Sequence, residues 1–413
     1  MDVKDLALQA KASLPSLSIA GSEVKNALLL LIASKLEASA DEIIVQNQKD
    51  IGAAREAGIS EAMIDRLTLN VSRIKAMAEG VRQVAYLPDP IGELLSTFTH
   101  ANGMVIKKVR VPLGVIGIIF ESRPNVTVDA AVLCLKAGNP VVLRGGREAI
   151  RSNTALADIM RAALSETGLP EGALGLVTDT SRESANEMMR LNGLIDVLIP
   201  RGGVSLIKSV LANATIPVIE TGVGNCHVYV DSPCNGSMAA DIVFNAKCSR
   251  PSVCNAAETL LIHKDSAFLL PLIKARLDEK SVELRGCEKT REILGDTVVP
   301  ATDEDYATEF NDYILAVRVV DSLDEALAHI AKYGTLHSEA IVTDNSENAE
   351  RFLNTVDAAA VYHNVTTRFT DGFEFGLGAE IGISTQKMHA RGPMGLKELT
   401  SIKYIVRGSG QIR

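Results

Sequence analysis

The stretch "KCSRPSVCNAAETLLIH", residues 247–263, carries Cys248 and Cys254, two of the chain's six cysteines. A thiol becomes a nucleophile when a helix N-terminus or a nearby cation lowers its pKa, and Arg250 lies between these two. Such a thiolate attacks acyl and carbonyl centres, whereas a thiol without that help is a small buried apolar residue. Other polar groups fall where a ligand would meet them. "RGGREA" (144–149) and "PRGGVSL" (200–206) each place Gly-Gly where an apolar run gives way to helical spacing. The amide groups of such a turn favour anions. In "VIETGVGNCHVYVD", Glu220 closes an apolar run, and a carboxylate at the end of a parallel strand points into the ligand crevice. No G-x-G-x-x-G loop follows a strand; "TGVGNCHV" comes nearest and lacks the third glycine.

These groups need elements to position them. Residues 1 to about 90 read as helices, with apolar residues at three- and four-residue spacing. "LPDPIGE" breaks that pattern, and "LSTFTHANGMVIKKVRVPLG" reads as a hairpin turning at Asn102-Gly103. From 115 to 228, the short apolar runs "VIGIIF", "PVVLRGG", "LGLVTD", "IDVLIPRGG" and "IPVIETG" alternate with helical stretches. That alternation predicts a parallel sheet covered on both faces. A second alternating block spans about 236–365, where Ser322 with Glu325 forms a capping box and Gly334 ends the helix. The tail "KELTSIKYIVRGSGQIR" ends in a strand-like run that can pair with the early hairpin.

Composition narrows the function. A net charge of −9 gives no basic footprint for nucleic acid. The apolar runs fall well short of the roughly 20 residues that span a bilayer. The cysteines are too sparse for a disulfide scaffold and include no CxxC pair, so neither a disulfide framework nor a metal site is expected. The reading is a reduced, cytoplasmic protein that does not bind membrane or nucleic acid.

Taken in order, "PLGVIGIIFESRPN", "AGNPVVLRGGRE", "PRGG", "IETGVGNCHVYVD", "CSRPSVCNAAE" and "EFNDYILAV" resemble the aldehyde dehydrogenase superfamily, which binds its nicotinamide cofactor without the G-x-G-x-x-G loop. Within it, "VDSLDEALAHIAKYGTLHSEAI" (320–341), "RPSVCNAAETLLIH" and "RGPMGLKELTSIKYIVRG" are similar to the gamma-glutamyl phosphate reductase family. The resemblance covers nearly the whole chain. It implies an α/β, aldehyde-dehydrogenase-like fold of two α/β domains with parallel-type sheets plus a β-hairpin oligomerisation arm. The expected divisions are a cofactor-binding domain (1–96 and 115–228), a catalytic domain (229–380) and an arm (97–114 and 395–413).

It also implies NADPH-dependent reduction of gamma-glutamyl phosphate to glutamate 5-semialdehyde through a thioacyl enzyme, with a homo-oligomer and glutamate 5-kinase as candidate partners. Cys254 matches the nucleophile and Glu220, 34 residues earlier, the paired glutamate. Cys248 has no matching role. Asn125, in the loop "FESRPN", is the nearest match to an oxyanion-binding asparagine, with Ser122 or Arg123 as alternatives. Arg123, Arg250, His337 and Arg391 are candidates for holding phosphate or carboxylate, because a guanidinium fork pairs with both. Glu309 resembles the glutamate that holds the nicotinamide ribose. Arg144 stands at a cofactor-contacting position, alongside the glycines Gly202 and Gly203. Arg147 stands where NAD-preferring relatives carry an acid, and a cation there favours the 2'-phosphate of NADPH. The rival readings are an NAD(P)-dependent aldehyde dehydrogenase that oxidises a different small aldehyde, and a non-catalytic scaffold.

Overall fold

The N-terminal apolar stripes form the helices Val3–Ser18, Ser22–Ala38, Ala40–Glu56, Glu61–Leu67 and Val71–Tyr86. Ser22–Ala38 buries Leu28, Leu29, Ile32 and Leu36, and Val71–Tyr86, which packs on it, buries Ile74, Met77, Val81 and Val84. These are the three- and four-residue repeats that put one face of a helix in the core. The computed structural model describes residues 2–121 and 123–413, so Ser122 lies outside the described residues.

The chain divides into two compact units. The first is Met1–Thr221 with Gly376–Gly382 and Met394–Arg413, and the second is Gly222–Phe375 with Ile383–Pro393. In the first, a four-stranded parallel sheet runs in the order Leu174–Leu176, Val141–Arg144, Ile116–Phe120, Val197–Arg201. Ile116–Phe120 is buried along its whole length, as a strand covered on both faces must be. The run "IPVIETG", expected to be a further strand, makes only one bridge, Val218 to Leu198. Pro217 accepts the Leu198 N–H at 2.9 Å but has no N–H of its own to extend a ladder.

The hairpin strands Leu94–Thr99 and Val105–Pro112 flank the turn at Asn102-Gly103, where Gly103 has φ 88°. Thr400–Arg407 pairs antiparallel with Val105–Pro112, from Thr400 opposite Pro112 to Arg407 opposite Val105. Phe98, Tyr404 and Val406 leave large apolar side chains exposed on this three-stranded sheet.

The second unit holds a seven-stranded parallel sheet in the order Val299–Pro300, Glu283–Gly286, Ile314–Val320, Ala257–His263, Cys226–Val230, Ser338–Val342, Ala360–His363. Its central strands bury Val228, Leu260, Leu261, Val317 and Ile341. Cys226–Val230 pairs between Ala257–His263 and Ser338–Val342, which places it in the second unit. Ser322 caps the helix Leu323–Tyr333 by accepting the Glu325 N–H at 3.2 Å. The Glu325 carboxylate turns back to the Asp321 N–H at 2.8 Å, one residue before the position a full capping box would use.

Candidate active site

Cys254 lies in the turn between the helix Gly236–Cys248 and the strand Ala257–His263, with the Ala256 N–H donating to Val253 O at 3.0 Å. It is half-buried. Cys248, the last residue of the helix, is 4% exposed, and burial pushes its thiol up to about 11, so it is not an activated thiol. Burial also pushes up the thiols of Cys134 and Cys226. No disulfide joins any of the six cysteines.

The peptide carrying Cys254 is gripped from several sides. The Cys226 thiol donates to the Cys254 carbonyl at 3.2 Å. Gly224 lies against the same carbonyl so closely that a β-carbon there would coincide with it. The Gly224 N–H donates to Glu309 Oε1 at 2.9 Å. Asn255 is 5% exposed; its amide donates to Thr370 O at 2.9 Å, and its carbonyl accepts the Thr367 hydroxyl at 2.7 Å. Lys247 and Glu258, one before the turn and one after, form a fully buried ion pair at 2.5 Å. Burial lifts the Glu258 carboxyl to about 7, and its second oxygen accepts the Asn311 N–H at 3.3 Å, tying the Glu309 loop to the turn's far side.

This geometry gives the 320–341 segment a physical role. Tyr333 O accepts the Asn225 amide at 2.8 Å, and Thr335 Oγ1 accepts the Asn225 backbone N–H at 3.0 Å. Glu339 accepts the His227 backbone N–H at 2.7 Å and lies 3.0 Å from His227 Nδ1. Residues 333–339 therefore fix 225–227, which in turn back the Cys254 carbonyl. His337, expected to grip the substrate, has a fully buried ring, with Nδ1 2.8 Å from Ser338 Oγ and 3.7 Å from the Cys226 thiol.

Two of the buried imidazoles are held neutral. Burial pushes His337 down to about 4, and burial with the neighbouring His227 pushes His329 down to about 3. His329 packs edge-on against Tyr306 at 5.0 Å. Both folded values lie below the ordinary 6.5, so the unfolded chain binds more protons between these limits. Stability is then full above pH 6.5 and falls as the pH drops towards 4. Each histidine contributes up to about 1.4 kcal/mol per pH unit. In His329→Gln, urea-midpoint measurements from pH 7 to 4.5 are expected to show a slope shallower by about one proton. An unchanged slope would remove His329 from the account.

The other candidate residues are placed as follows. Glu220 is half-buried after the bridge at Val218. Asn125 is exposed in the first turn of the helix Pro124–Lys136, and its amide donates to Asp129 Oδ2 at 2.9 Å; Arg123 is that helix's exposed N-cap. Arg144 ends its strand with its guanidinium donating to the carbonyls of Thr180 and Ser181 at 2.7 and 2.8 Å. Arg147 projects with 76% of its side chain exposed, 3.3 Å from Glu148. Gly202 and Gly203 precede the helix Val204–Asn213, and the Gly203 N–H donates to the Glu121 carboxylate at 2.9 Å. Arg391 is paired with Asp357 at 2.7 Å, while Arg250 is exposed four residues before Cys254. Among the described residues no cluster of His, Cys, Asp or Glu is placed to hold a metal ion, and no helix is long and apolar enough to cross a membrane.

Sequence reasoning missed Cys226, Asn255 and Arg368. Arg368 donates from Nη1 to Asn255 Oδ1 and from Nε to Ser249 Oγ at 2.9 Å. The cue in the sequence was the polar run "NVTTRFTDG", which no helical or strand period explains.

Residues 1–285 match the aldehyde dehydrogenase family. The chain is 62% identical over 413 residues to a gamma-glutamyl phosphate reductase of Carboxydothermus hydrogenoformans, covering 100% of this chain and 99% of that one. The crystal structure of gamma-glutamyl phosphate reductase from Thermotoga maritima superposes with TM-score 0.97 at 48% identity, covering 100% of both chains. An acetylating aldehyde dehydrogenase from Geobacillus thermoglucosidasius shares the fold, with TM-score 0.71 at 17% identity, covering 100% of this chain and 97% of that one.

Proposed function

Because the chain belongs to the aldehyde dehydrogenase family and, within it, to the gamma-glutamyl phosphate reductases, we propose that it reduces L-gamma-glutamyl 5-phosphate to L-glutamate 5-semialdehyde with NADPH, releasing phosphate in the second step of proline biosynthesis. The observation that carries this reading is the half-buried Cys254, whose peptide is clamped by Gly224, Cys226 and Asn255. A nucleophile fixed in this way pays little entropy on reaching its target.

The Cys254 thiolate attacks the acyl carbon. The C–S bond forms, the C–O bond to phosphorus breaks, and phosphate leaves with the electron pair. NADPH, when bound, supplies the hydride that a thioester accepts far more readily than a carboxylate. Cys254 then holds a thiohemiacetal oxyanion, which the Cys254 backbone N–H is suited to stabilise. Collapse releases the aldehyde and returns the thiolate. No water need be activated, so Glu220 is assigned to positioning rather than to hydrolysis.

The first unit is the cofactor-binding domain in this reading, and the second is catalytic. The carboxyl edge of the four-stranded sheet fits a dinucleotide. Gly202 and Gly203 add no side chain of their own before the helix Val204–Asn213, and the Gly203 N–H, which donates to the Glu121 carboxylate at 2.9 Å, lies where a helix N-terminus favours an anion. The exposed Arg147 supplies a cation for the 2'-phosphate and Arg144 stiffens the neighbouring loop; in the second unit, the Gly224 N–H holds the Glu309 carboxylate. The three-stranded sheet, with Phe98, Tyr404 and Val406 exposed, is the arm that pairs copies of this chain into an oligomer. An acyl phosphate hydrolyses readily, so a glutamate 5-kinase that delivers it is the fitting partner, and a reducing cytoplasm suits the thiol.

The test is the reverse reaction. NADP reduction by glutamate semialdehyde is expected to require added phosphate and to run far faster than NAD reduction. Reduction that proceeds equally without phosphate would establish the rival, a hydrolytic aldehyde dehydrogenase.

A further inference from the structure

Arg368 sits in the short turn Thr367–Phe369, half-buried beside the nucleophile turn. Its Nε and Nη1 are held by Ser249 and Asn255, which bracket Cys254 on both sides. Both holders are neutral. Asp371 attracts the Arg368 charge without pairing to it, and its Oδ1 accepts the Phe373 N–H at 2.9 Å and the Glu374 N–H at 3.4 Å. Arg250 adds a second cation, close enough to Arg368 to repel its charge, while Cys254 attracts it. A partly buried guanidinium without a carboxylate partner is costly, and a second arginine beside it raises the cost. Such a pair is a site built for an anion that arrives from outside.

We propose that Arg368 recognises the phosphoryl group of the acyl phosphate, through the Nη2 edge that donates to no described residue, with Arg250 as the outer cation. The proposal rests on the acyl-phosphate reading above and adds the residue that distinguishes phosphate from water or a second thiol as the partner of the acyl group. The substrate offers two anions. The phosphoryl group is bonded through one oxygen to the carbon that Cys254 attacks, whereas the alpha-carboxylate lies at the far end of the side chain. A guanidinium tied to Asn255, the residue next to the nucleophile, meets the nearer of the two. Nη2 pairs with the departing oxygens as the C–O bond breaks, and the electron pair leaves on phosphate. In reverse, the same edge holds inorganic phosphate for attack on the thioester.

Arg368→Ala and Arg368→Lys, made in the full chain, test this in the reverse direction with inorganic phosphate varied at saturating semialdehyde and NADP. The KM for phosphate is expected to rise about 10- to 100-fold in the alanine variant, and less in the lysine variant, which keeps a charge but loses the fork. The KM for semialdehyde should stay within about twofold, because its alpha-carboxylate lies at the far end of the side chain from the reacting carbon. A phosphate KM within about threefold of wild type in both variants overturns the assignment, as does an equal rise in both KM values, the signature of a structural role. Should the alanine variant fail to fold, the lysine variant alone decides. A wild-type enzyme indifferent to phosphate would instead defeat the underlying reading, whatever Arg368 does.

Discussion

Cys254→Ser is expected to lower reductase turnover by about 10,000-fold while leaving the melting temperature within about 2 °C of wild type. The hydroxyl is close in size to the thiol, so the clamp on the peptide survives. What is lost is chemistry, because serine has no base assigned to it here and its alkoxide is inaccessible near neutral pH. The surrounding thiols cannot substitute, since Cys226 and Cys248 are buried and burial raises both. The check is single-turnover reduction of the acyl phosphate together with labelling by iodoacetamide. Wild type should incorporate one rapidly reacting equivalent and the serine variant none. Comparable turnover in the serine variant would defeat covalent catalysis.

Gly224→Ala should be nearly as damaging, although Gly224 carries no functional group. A methyl group there would occupy the position of the Cys254 carbonyl, and the obstruction is backbone rather than the yielding end of a side chain. One of the two strands of chain must therefore move. Gly224 is also held by Glu309 at 2.9 Å, so the displacement falls on the nucleophile, the Glu309 carboxylate, or both. A shift of roughly 1 Å at a reacting group costs about 100-fold in rate, and overpacking of this kind costs about 1–3 kcal/mol of stability. Turnover and urea midpoint measured on one preparation separate the two effects. Turnover within about threefold of wild type would show that this contact does not set the geometry of Cys254.

Much of this arrangement is legible in the residues themselves. The hairpin announced itself through Asn102-Gly103, because few residues other than glycine and asparagine adopt the backbone of so tight a turn. The final strand was visible as an apolar run able to pair with the hairpin, and of the hairpin's two edges it takes that of Val105–Pro112. The order of motifs pointed to Cys254 over Cys248, and burial raises the Cys248 thiol. Other features were hidden because their causes are distant in sequence. Arg368 meets Ser249 and Asn255 across 119 and 113 residues, and no periodicity encodes such a meeting. His337 belongs to a specific motif, but its burial against Cys226, 111 residues earlier, is a packing fact that no motif encodes. Cys226–Val230 was not singled out as a strand, because the alternation that marks it spans the boundary between the two units, and it lies within the second unit's sheet.

The strand Thr400–Arg407 has a consequence for biosynthesis. It pairs with Val105–Pro112, and both belong to a unit whose remaining residues come mostly from the first 221. On the ribosome the edge of Val105–Pro112 must wait, open, while the whole second unit emerges and collapses. Nearly all of that second unit is one continuous stretch of chain, so it can finish first even though it begins later. Closing so long a loop is entropically slow, and the waiting edge is where a nascent chain would be captured by a neighbour or a chaperone.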